Sequence, residues 1–348
     1  MLRPTAGSSQ EIFVKWPELT TAEKAALSAL ETRLGHLHVR QRLGLECDYE
    51  ASVFRRGTHL FHLQNWCSAH ALIRASLWVF GLYRRGQRNA LTIELRENEV
   101  PIAGLPSAFD SYTVLQISDL HLDINSTFTD ALQKRIQNLR YDLCVFTGDY
   151  RARTFGPLDP TLTELRRLRP HINSPVYAIL GNHDSIRMVS AMETIGYRML
   201  LNECVRIERE GDAIYLAGID DAHFYRLENF DRAAHDIPSQ AISVLLSHTP
   251  EVYRHAAHAA FNLMLCGHTH GGQICLPGGV AVLTDSDIPR SFTRGPWRYQ
   301  DMAGYTSAGA GSCIVDVRFN CPPEVTLHRL RIGVQNGPSE SVPIGLSA

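Results

Sequence analysis

The stretch MLCGHTHGGQI, residues 264–274, joins the end of an apolar run to a turn that contains two histidines. Gly267 precedes His268, and a pair of glycines follows His270. Glycine lets the backbone turn tightly, so both imidazoles can point towards the same centre. Two imidazoles held in this way predict a metal site, for which other parts of the chain must supply the remaining ligands.

Four other apolar runs end in residues with ligand chemistry. They are YTVLQIS (112–118) before Asp119 and His121, LCVFTG (143–148) before Asp149, VYAILG (176–181) before Asn182 and His183, and ISVLLS (242–247) before His248. Such runs are typical of buried strands, and the amphipathic segments between them are typical of helices. The alternation predicts an α/β fold in which helices cover the sheets. Ligands bind at the carboxyl ends of the strands in such folds, so these side chains are expected to meet.

Carboxylate, amide and imidazole side chains together suit divalent transition metals better than Mg²⁺ or Ca²⁺, which prefer oxygen ligands. The ligands at the strand ends suffice for two ions that share one carboxylate. A two-metal centre holds both the attacking and the leaving oxygen of a displacement at phosphorus. We expect two divalent ions, with manganese first and iron or zinc as alternatives, because metal supply decides the identity as much as the ligands do.

The motifs SDLH, TGDY, GNHD, LSHTP and CGHTHGGQ, in this order, resemble those of the calcineurin-like metallophosphoesterases. With the closing stretch RFNCPPEVTLHRL, residues 318–330, they resemble a bacterial phosphodiesterase branch that includes membrane-associated enzymes and hydrolases of UDP-2,3-diacylglucosamine. The resemblance implies a four-layer α-β-β-α sandwich over residues 89–335. We expect a helical extension over residues 1–88 and a tail over residues 336–348.

The resemblance also implies a role for each matching position. The first metal would be held by Asp119, His121 and His270, the second by Asn182, His248 and His268, and Asp149 would bridge the two. A hydroxide that bridges the metals would attack phosphorus. His183 would stabilise or protonate the leaving oxygen, and Asp184 would orient His183 through a carboxylate–imidazole hydrogen bond.

These roles predict hydrolysis of a phosphodiester or pyrophosphate bond. The apolar N-terminal segment and the narrower resemblance favour a lipid-linked substrate similar to UDP-2,3-diacylglucosamine. Two other enzymes stay open: a soluble cyclic-nucleotide or general phosphodiesterase, and a phosphoprotein phosphatase. A non-catalytic binding scaffold is the alternative of another class, although such a protein is expected to have broken ligand motifs, and here the motifs are whole.

Four further residues are candidates for substrate contact. His223 follows a strand-end segment, whereas the neighbouring Asp220 and Asp221 are interpreted as turn residues or as residues that support the metal ligands. Gln273 either faces the substrate or ties down its own loop. Arg290 and Arg294 could bind phosphate oxygens, because the geometry of the guanidinium group matches that of phosphate. Alternatively, they could lie in a solvated loop.

The N-terminal zone is predicted to be helical. TTAEKAALSALETRLGHL, residues 20–37, has Thr20 or Thr21 as a helix cap and apolar residues at helical spacing. WCSAHALIRASLWVFGLY, residues 66–83, is apolar and aromatic, and Arg84, Arg85 and Arg88 follow it. Three interpretations are open: a buried helix, an interfacial helix on anionic lipid, and a membrane span, for which the segment is short.

The composition of the chain bears on its partners and on its location in the cell. The chain of 348 residues has 34 Lys+Arg against 36 Asp+Glu, and this balance makes nucleic acid an unlikely partner, since its binders usually carry a basic surplus. The eight cysteines form no CxxC pair, which indicates a reducing compartment. No secretory signal is recognisable, so we expect a cytoplasmic protein, or one at the inner face of the membrane.

Overall fold

A computed structural model describes residues 19–55 and 63–333, with the side chains of residues 52–70 left undescribed. The chain divides into two compact units, Met1–Ser68 and Ala69–Ala348. This division precedes the boundary predicted after residue 88. The reason is that Tyr83 and Gln87 donate hydrogen bonds to the two carboxylate oxygens of Asp316, at 2.7 and 2.6 Å, so this segment belongs to the second unit.

In the first unit, helix α1 (Thr21–Leu34) packs against helix α2 (His36–Arg55). The predicted start of α1 is confirmed, because the hydroxyl of Thr20 accepts from the backbone of Glu23 and the carboxylate of Glu23 accepts from the backbone of Thr20. This reciprocal capping satisfies two backbone donors at the helix end.

Helix α3 (Leu63–Val79) is the apolar segment that the sequence left open among three interpretations. A buried helix is wrong for its described half, since Trp78 is 59% exposed, Val79 82% and the following Phe80 74%. Among the described residues, no helix combines the length and the apolar character needed to cross a bilayer. The interfacial interpretation remains a proposal. Helix α4 (Tyr83–Ala90) follows and carries the exposed arginines 84, 85 and 88.

The second unit then alternates strands and helices. The strands are β1 (Glu94–Ala103), β2 (Thr113–Ile117), β3 (Leu143–Phe146), β4 (Val176–Ala178), β5 (Arg198–Met199), β6 (Glu203–Arg209), β7 (Asp212–Gly218), β8 (Ser243–Leu246), β9 (Leu263–Cys266), β10 (Cys275–Leu276), β11 (Val280–Ala281), β12 (Gly295–Tyr299), β13 (Met302–Thr306) and β14 (Glu324–Gly333). The helices are α5 (Phe128–Ile136), α6 (Asp159–Leu168), α7 (Val189–Ile195), α8 (Phe230–Ala234) and α9 (Tyr253–His258).

Two mixed sheets of six strands form the core of this unit. Their strand orders are β1-β14-β2-β3-β4-β5 and β12-β13-β9-β8-β7-β6, and β10 pairs with β11 in a separate hairpin. Strands β2 to β5 run parallel in the first sheet, as do β7 to β9 in the second. Every residue of β3, β4, β8 and β9 is buried, as expected of parallel strands covered on both faces.

The two sheets pack face to face, and helices cover the outer faces. The shared core joins Val114 and Val145 of the first sheet to Leu216 and Val244 of the second. On the outer face of the second sheet, α8 and α9 bury Ala233 and Ala256 against Leu245 and Met264. Tyr197 links α6 to the first sheet, because its hydroxyl donates to the carbonyl of Leu165 and its ring packs edge-on against Phe146. The predicted α-β-β-α sandwich is confirmed.

Candidate metal centre

Loops at the carboxyl ends of both sheets bring the predicted ligands together. Asp119 and His121 follow β2, Asp149 follows β3 and Asn182 lies beyond β4, while His248 follows β8 and His268 and His270 follow β9. Backbone hydrogen bonds tie neighbouring loops to each other. The amide of Asp119 donates to the carbonyl of Gly148 at 3.0 Å, and that of His121 donates to the carbonyl of Asp149 at 3.1 Å.

The backbone is strained at most of these positions. Five of the seven predicted ligands have positive φ angles, between 45° and 72°: Asp119, His121, Asp149, His268 and His270. A residue with a Cβ atom rarely adopts this left-handed conformation, which costs about 1–3 kcal/mol and persists only where the surroundings enforce it. Such strain clusters at functional sites, so its position here supports a functional role for the loops.

Two glycines allow the loops to approach each other closely. A Cβ atom at Gly267 would collide with the hydroxyl of Ser118 and with the carboxylate of Asp119. A Cβ atom at Gly181 would collide with the carboxylate of Asp149. Gly181 and Gly267 therefore each make room for a carboxylate from a neighbouring loop.

The first cluster is formed by Asp119, His121, Asp149 and His270. The ligand atoms of Asp119, His121 and Asp149 all lie within 4.8 Å of one another. The Nε2 atom of His121 is 2.9 Å from Nε2 of His270 and 3.8 Å from Oδ2 of Asp149. The Nε2 atom of His270 is in turn 3.6 Å from Oδ1 of Asp119.

The second cluster is formed by Asp149, Asn182, His248 and His268. The Oδ1 atom of Asn182 is 2.9 Å from Nε2 of His248 and 3.0 Å from Nδ1 of His268. The Nε2 atom of His248 is also 3.3 Å from Oδ2 of Asp149. Asp149 thus belongs to both clusters. His121 of the first cluster and His248 of the second both face its Oδ2 atom.

In three of the four rings, the hydrogen bond at the far side leaves a lone pair on the nitrogen that faces a cluster. Nδ1 of His121, Nδ1 of His248 and Nε2 of His268 each lie 2.7 Å from a backbone carbonyl oxygen, to which they can only donate. In the neutral rings, the nitrogens that face the clusters therefore carry lone pairs. In the second cluster, two such nitrogens face the carbonyl oxygen of Asn182, which is also an acceptor, so the three groups need a shared proton or a cation.

The ionisation of the buried carboxylates and imidazoles also favours a cation at the clusters. Burial raises the pKa of Asp119 to about 6. Burial would also raise the pKa of Asp149, but the positive charge of His248 beside it holds that pKa well below its usual value. Burial would lower the pKa of His248, yet the charge of Asp149 outweighs this effect and raises it to about 10. In this arrangement a proton on His248 carries the positive charge that stabilises the Asp149 carboxylate. A bound metal ion can supply that positive charge instead.

Comparisons with known proteins agree with this geometry. The family model described as calcineurin-like phosphoesterase matches residues 112–272, which contain all seven predicted ligands. The chain contains a calcineurin-like metallophosphoesterase domain. Proteins of this family use divalent metals, and the chain is a metal-dependent phosphoric ester hydrolase.

Several relatives of this phosphoesterase share most of its length. The uncharacterized metallophosphoesterase YkoQ of Bacillus subtilis is 29% identical over 255 residues, which cover 70% of this chain and 93% of the relative. Phosphodiesterase YaeI of Escherichia coli is 26% identical over 236 residues, which cover 63% and 82%. A transmembrane protein with a metallophosphoesterase domain from Bos taurus is 29% identical over 277 residues, which cover 73% and 60%.

The predicted hydrogen bond between Asp184 and His183 is replaced by a different contact. The Nδ1 atom of His183 lies 2.9 Å from the hydroxyl oxygen of Thr154. The carboxylate of Asp184 instead accepts from the backbone amides of Gly181, Asp149 and Tyr150, at 2.8 to 2.9 Å. Asp184 therefore fixes the loops that present Asp149 and Asn182, and in this phosphoesterase Thr154 holds the imidazole of His183.

His223 lies beside the second cluster, as the sequence suggested. Its ring packs against that of His268 with 4.2 Å between centroids, and its Nδ1 atom is 2.9 Å from Oε2 of Glu251. The carboxylate of Asp221 accepts from the backbone amides of Phe224 and Tyr225, which confirms that Asp221 is a turn residue. Whether His223 contacts substrate stays a prediction.

The side chain of Gln273 binds the loop of Cys313. Its amide nitrogen donates to the carbonyls of Cys313 and Val315, and its carbonyl oxygen accepts from the amide of Cys313 at 2.8 Å. These contacts support the second of the two roles that the sequence suggested, that Gln273 ties down its own loop; a substrate contact stays a prediction. Arg294 donates to the thiol of Cys321 at 3.4 Å, and Arg290 is exposed; their contact with substrate stays a prediction.

Arg318 supports the site but was not among the predicted residues. Its fully buried guanidinium donates to the carbonyls of Gly309, Gly311 and His270, and to Nδ1 of His270 at 3.2 Å. Arg318 follows the last ligand by 48 residues and belongs to the closing stretch of the sequence. Only the folded chain brings it beneath His270.

Proposed function

We propose that the phosphoesterase is a dinuclear-metal hydrolase of phosphodiester or pyrophosphate bonds. The observation that carries this proposal is the position of Asp149, whose carboxylate belongs both to the group with Asp119 and His121 and to the group with His248 and His268. A carboxylate shared by two clusters can bridge two ions. Asp119, His121 and His270 are the remaining ligands of the first ion, and Asn182, His248 and His268 are those of the second.

The metals and the residues around them have different roles in the proposed hydrolysis. Bound metals would lower the pKa of a water molecule and neutralise phosphate oxygens. His183 lies at the edge of the first cluster, with its Nε2 atom 4.0 Å from Oδ2 of Asp149. From there it protonates the leaving oxygen, while Thr154 fixes the ring at Nδ1. We expect manganese first, with iron or zinc as alternatives.

Two observations support a diester, and among diesters a lipid-linked one. The chain is similar to an Escherichia coli protein that is named a phosphodiesterase. In addition, the β10–β11 hairpin, which directly follows the loop of His270, exposes Leu276 and Val280, and the two residues after β11, Val282 and Leu283, are exposed as well. Exposed apolar side chains beside a phosphate-hydrolysing centre suit a substrate whose phosphate is attached to acyl chains.

The apolar end of α3 supports peripheral contact with an anionic membrane. Trp78, Val79 and Phe80 are exposed, and arginines 84, 85 and 88 follow them on the surface. Aromatic side chains bind at the headgroup level, and each nearby arginine adds about 1 kcal/mol of attraction to an anionic surface. A peripheral enzyme in this position reaches lipid-linked phosphates without spanning the bilayer.

Hydrolysis is tested with model substrates and metal analysis. We expect the manganese-loaded protein to bind two ions and to turn over bis-p-nitrophenyl phosphate faster than p-nitrophenyl phosphate. His183→Ala keeps both ions but loses about 10²- to 10⁴-fold in kcat, the usual contribution of a general acid. The exposed His255 provides the matched control, and His255→Ala keeps full activity. One ion per chain, or an unchanged rate for His183→Ala, contradicts the proposal.

The lipid-linked substrate is tested separately. Phe80→Glu and Leu283→Glu should reduce flotation with vesicles that contain phosphatidylserine, whereas Ile332→Glu, at an equally apolar exposed position on β14, should not. UDP-2,3-diacylglucosamine should be hydrolysed faster than the same compound without acyl chains. Equal rates for the two compounds, or equal flotation of all variants, refute lipid linkage and leave the hydrolase intact.

A further inference from the structure

Cys313 lies against the first metal cluster. Its Sγ atom and one ring nitrogen each of His121 and His270 are all within 4.8 Å of one another. We propose that the Cys313 thiolate is an additional ligand of the first metal ion. The inference rests on the proposed metal centre and goes beyond it, because it assigns a sulfur ligand to one of the two ions.

Hydrogen bonds hold the loop of Cys313 against the two metal-binding loops. The amides of Ala310 and Gly311 donate to the carbonyls of Ser118 and Asp119, at 2.8 and 2.9 Å. Gln273, three residues after His270, binds both the amide and the carbonyl of Cys313, at 2.8 Å each. The position of the Cys313 backbone is therefore fixed relative to both the Asp119 and the His270 loops.

Three other cysteines near the centre are engaged differently. The thiols of Cys266, Cys275 and Cys321 lie 3.2 to 3.4 Å from backbone carbonyl oxygens, to which they can donate. Among the described residues, Cys313 is the one cysteine that forms a ligand group with histidines, and its thiol is free of disulfide bonds. The three neighbouring cysteines therefore serve as small buried hydrogen-bond donors. Cys313 differs from them because its sulfur lies near ring nitrogens of His121 and His270.

A thiolate would make the two metal sites chemically different. The second cluster offers only carboxylate, amide and imidazole ligands, whereas the first would add a soft, negatively charged sulfur. Thiolate ligands select zinc and iron over manganese. On binding, the thiol proton passes to solvent and the sulfur donates an electron pair to the metal. We therefore expect the first site to prefer zinc or iron, while the second site accepts manganese.

Cobalt substitution gives a direct readout of this ligand. The full-length protein loaded with Co²⁺ should have both visible ligand-field bands and a near-ultraviolet sulfur-to-cobalt charge-transfer band. Cys313→Ser should keep two cobalt ions and the ligand-field bands but lose the charge-transfer band. Cys204→Ser is the matched control, because Cys204 is also half-buried, lies on edge strand β6 and should leave the spectrum unchanged.

The remaining outcomes separate this inference from the proposed function. Two bound cobalt ions without a charge-transfer band in the unmodified protein overturn the Cys313 ligand and leave the hydrolase standing, whereas failure to bind cobalt overturns both. X-ray absorption of the zinc-loaded protein should detect a sulfur neighbour at about 2.3 Å, which requires no variant to fold. Cys313→Ser should also weaken the preference for zinc over manganese by at least about tenfold, since even indirect partners of a metal contribute that much.

Discussion

The hydroxyl of Thr154 lies 2.9 Å from Nδ1 of His183, across 29 residues of sequence. This contact takes the place that the sequence suggested for Asp184. It orients the imidazole with a neutral partner, so the nearest negative charge that faces His183 is Asp149, which binds metal in the proposed function. The charge around His183 therefore depends on the metals themselves.

Replacing Thr154 tests its role as a positioning residue. Thr154→Val removes one hydrogen bond, worth about 1 kcal/mol, and is expected to lower kcat about fivefold to tenfold. KM and metal content should stay unchanged, and Thr154→Ser should restore the rate. Steady-state kinetics with bis-p-nitrophenyl phosphate measures the effect. A loss of bound metal in Thr154→Val would instead mean that the residue stabilises the loops.

A methyl group at Gly267 should weaken metal binding. The added Cβ atom collides with Ser118 and Asp119, so these side chains and the His268 turn must move apart, which displaces Asp119 from its place in the first cluster relative to His270. We expect Gly267→Ala to bind the first ion at least about tenfold more weakly, as measured by calorimetric titration of the metal-free protein. Gly44→Ala is the control, because no atom lies within 4 Å of the added methyl group. Unchanged affinity in Gly267→Ala would contradict the assigned role of Asp119.

Replacing Arg318 should destabilise the protein. Arg318→Met leaves the carbonyls of Gly309, Gly311 and His270 without this donor, at about 1 kcal/mol each. The free energy of unfolding should fall by about 3 kcal/mol in urea titrations. Arg298→Met, at an exposed arginine, should change it by less than about 0.5 kcal/mol. Equal stability of the two variants would mean that water or other groups replace the guanidinium.

His328 should make the fold sensitive to acid. Burial lowers its pKa to about 3, and its Nε2 atom donates to Oε1 of Gln116 at 2.9 Å. Because the pKa in the unfolded chain is about 6.5, the unfolded state binds more protons below that pH. The stability from the neutral ring is therefore present above pH 6.5 and is lost as the pH falls towards 3.

This loss can be isolated by comparing two proteins at two pH values. Between pH 7 and pH 5 the His328 contribution should fall by about 2 kcal/mol. His328→Gln lacks this titration, so its urea midpoint should decline less than that of the unmodified protein over the same interval. Parallel declines would show that His328 is already accessible to protons in the folded state.

Residues at the ends of buried strands were predictable, and residues that support them were not. Asp119, Asp149 and His248 each close an apolar run, which marks their position at a strand end, and the resemblance of the motifs implied their role as ligands. Thr154 and Arg318 lie in irregular segments, and only tertiary contacts bring them to His183 and His270. Asp184 was misassigned because the resemblance implied a side-chain contact with His183, whereas the Asp184 carboxylate accepts from three backbone amides.

The apolar segment of α3 illustrates a second limit. Its composition suits a buried helix as well as an interfacial one, because hydrophobicity does not specify which surface will cover it. The exposure of Trp78 and Phe80 distinguishes these alternatives for the described half of the helix. Gln273 is a similar case, since an amide beside a catalytic loop is equally suited to bind a ligand or to hold a neighbouring strand.

The left-handed backbone at Asp119, His121, Asp149, His268 and His270 sets stability against activity. Glycine would relieve each position by about 1 kcal/mol, but would remove a proposed ligand. A duplicated gene released from selection for hydrolysis would therefore drift towards glycine here and gain thermal stability as it lost function. Retention of all five side chains in a lineage is, for this reason, a sign of continued selection for catalysis.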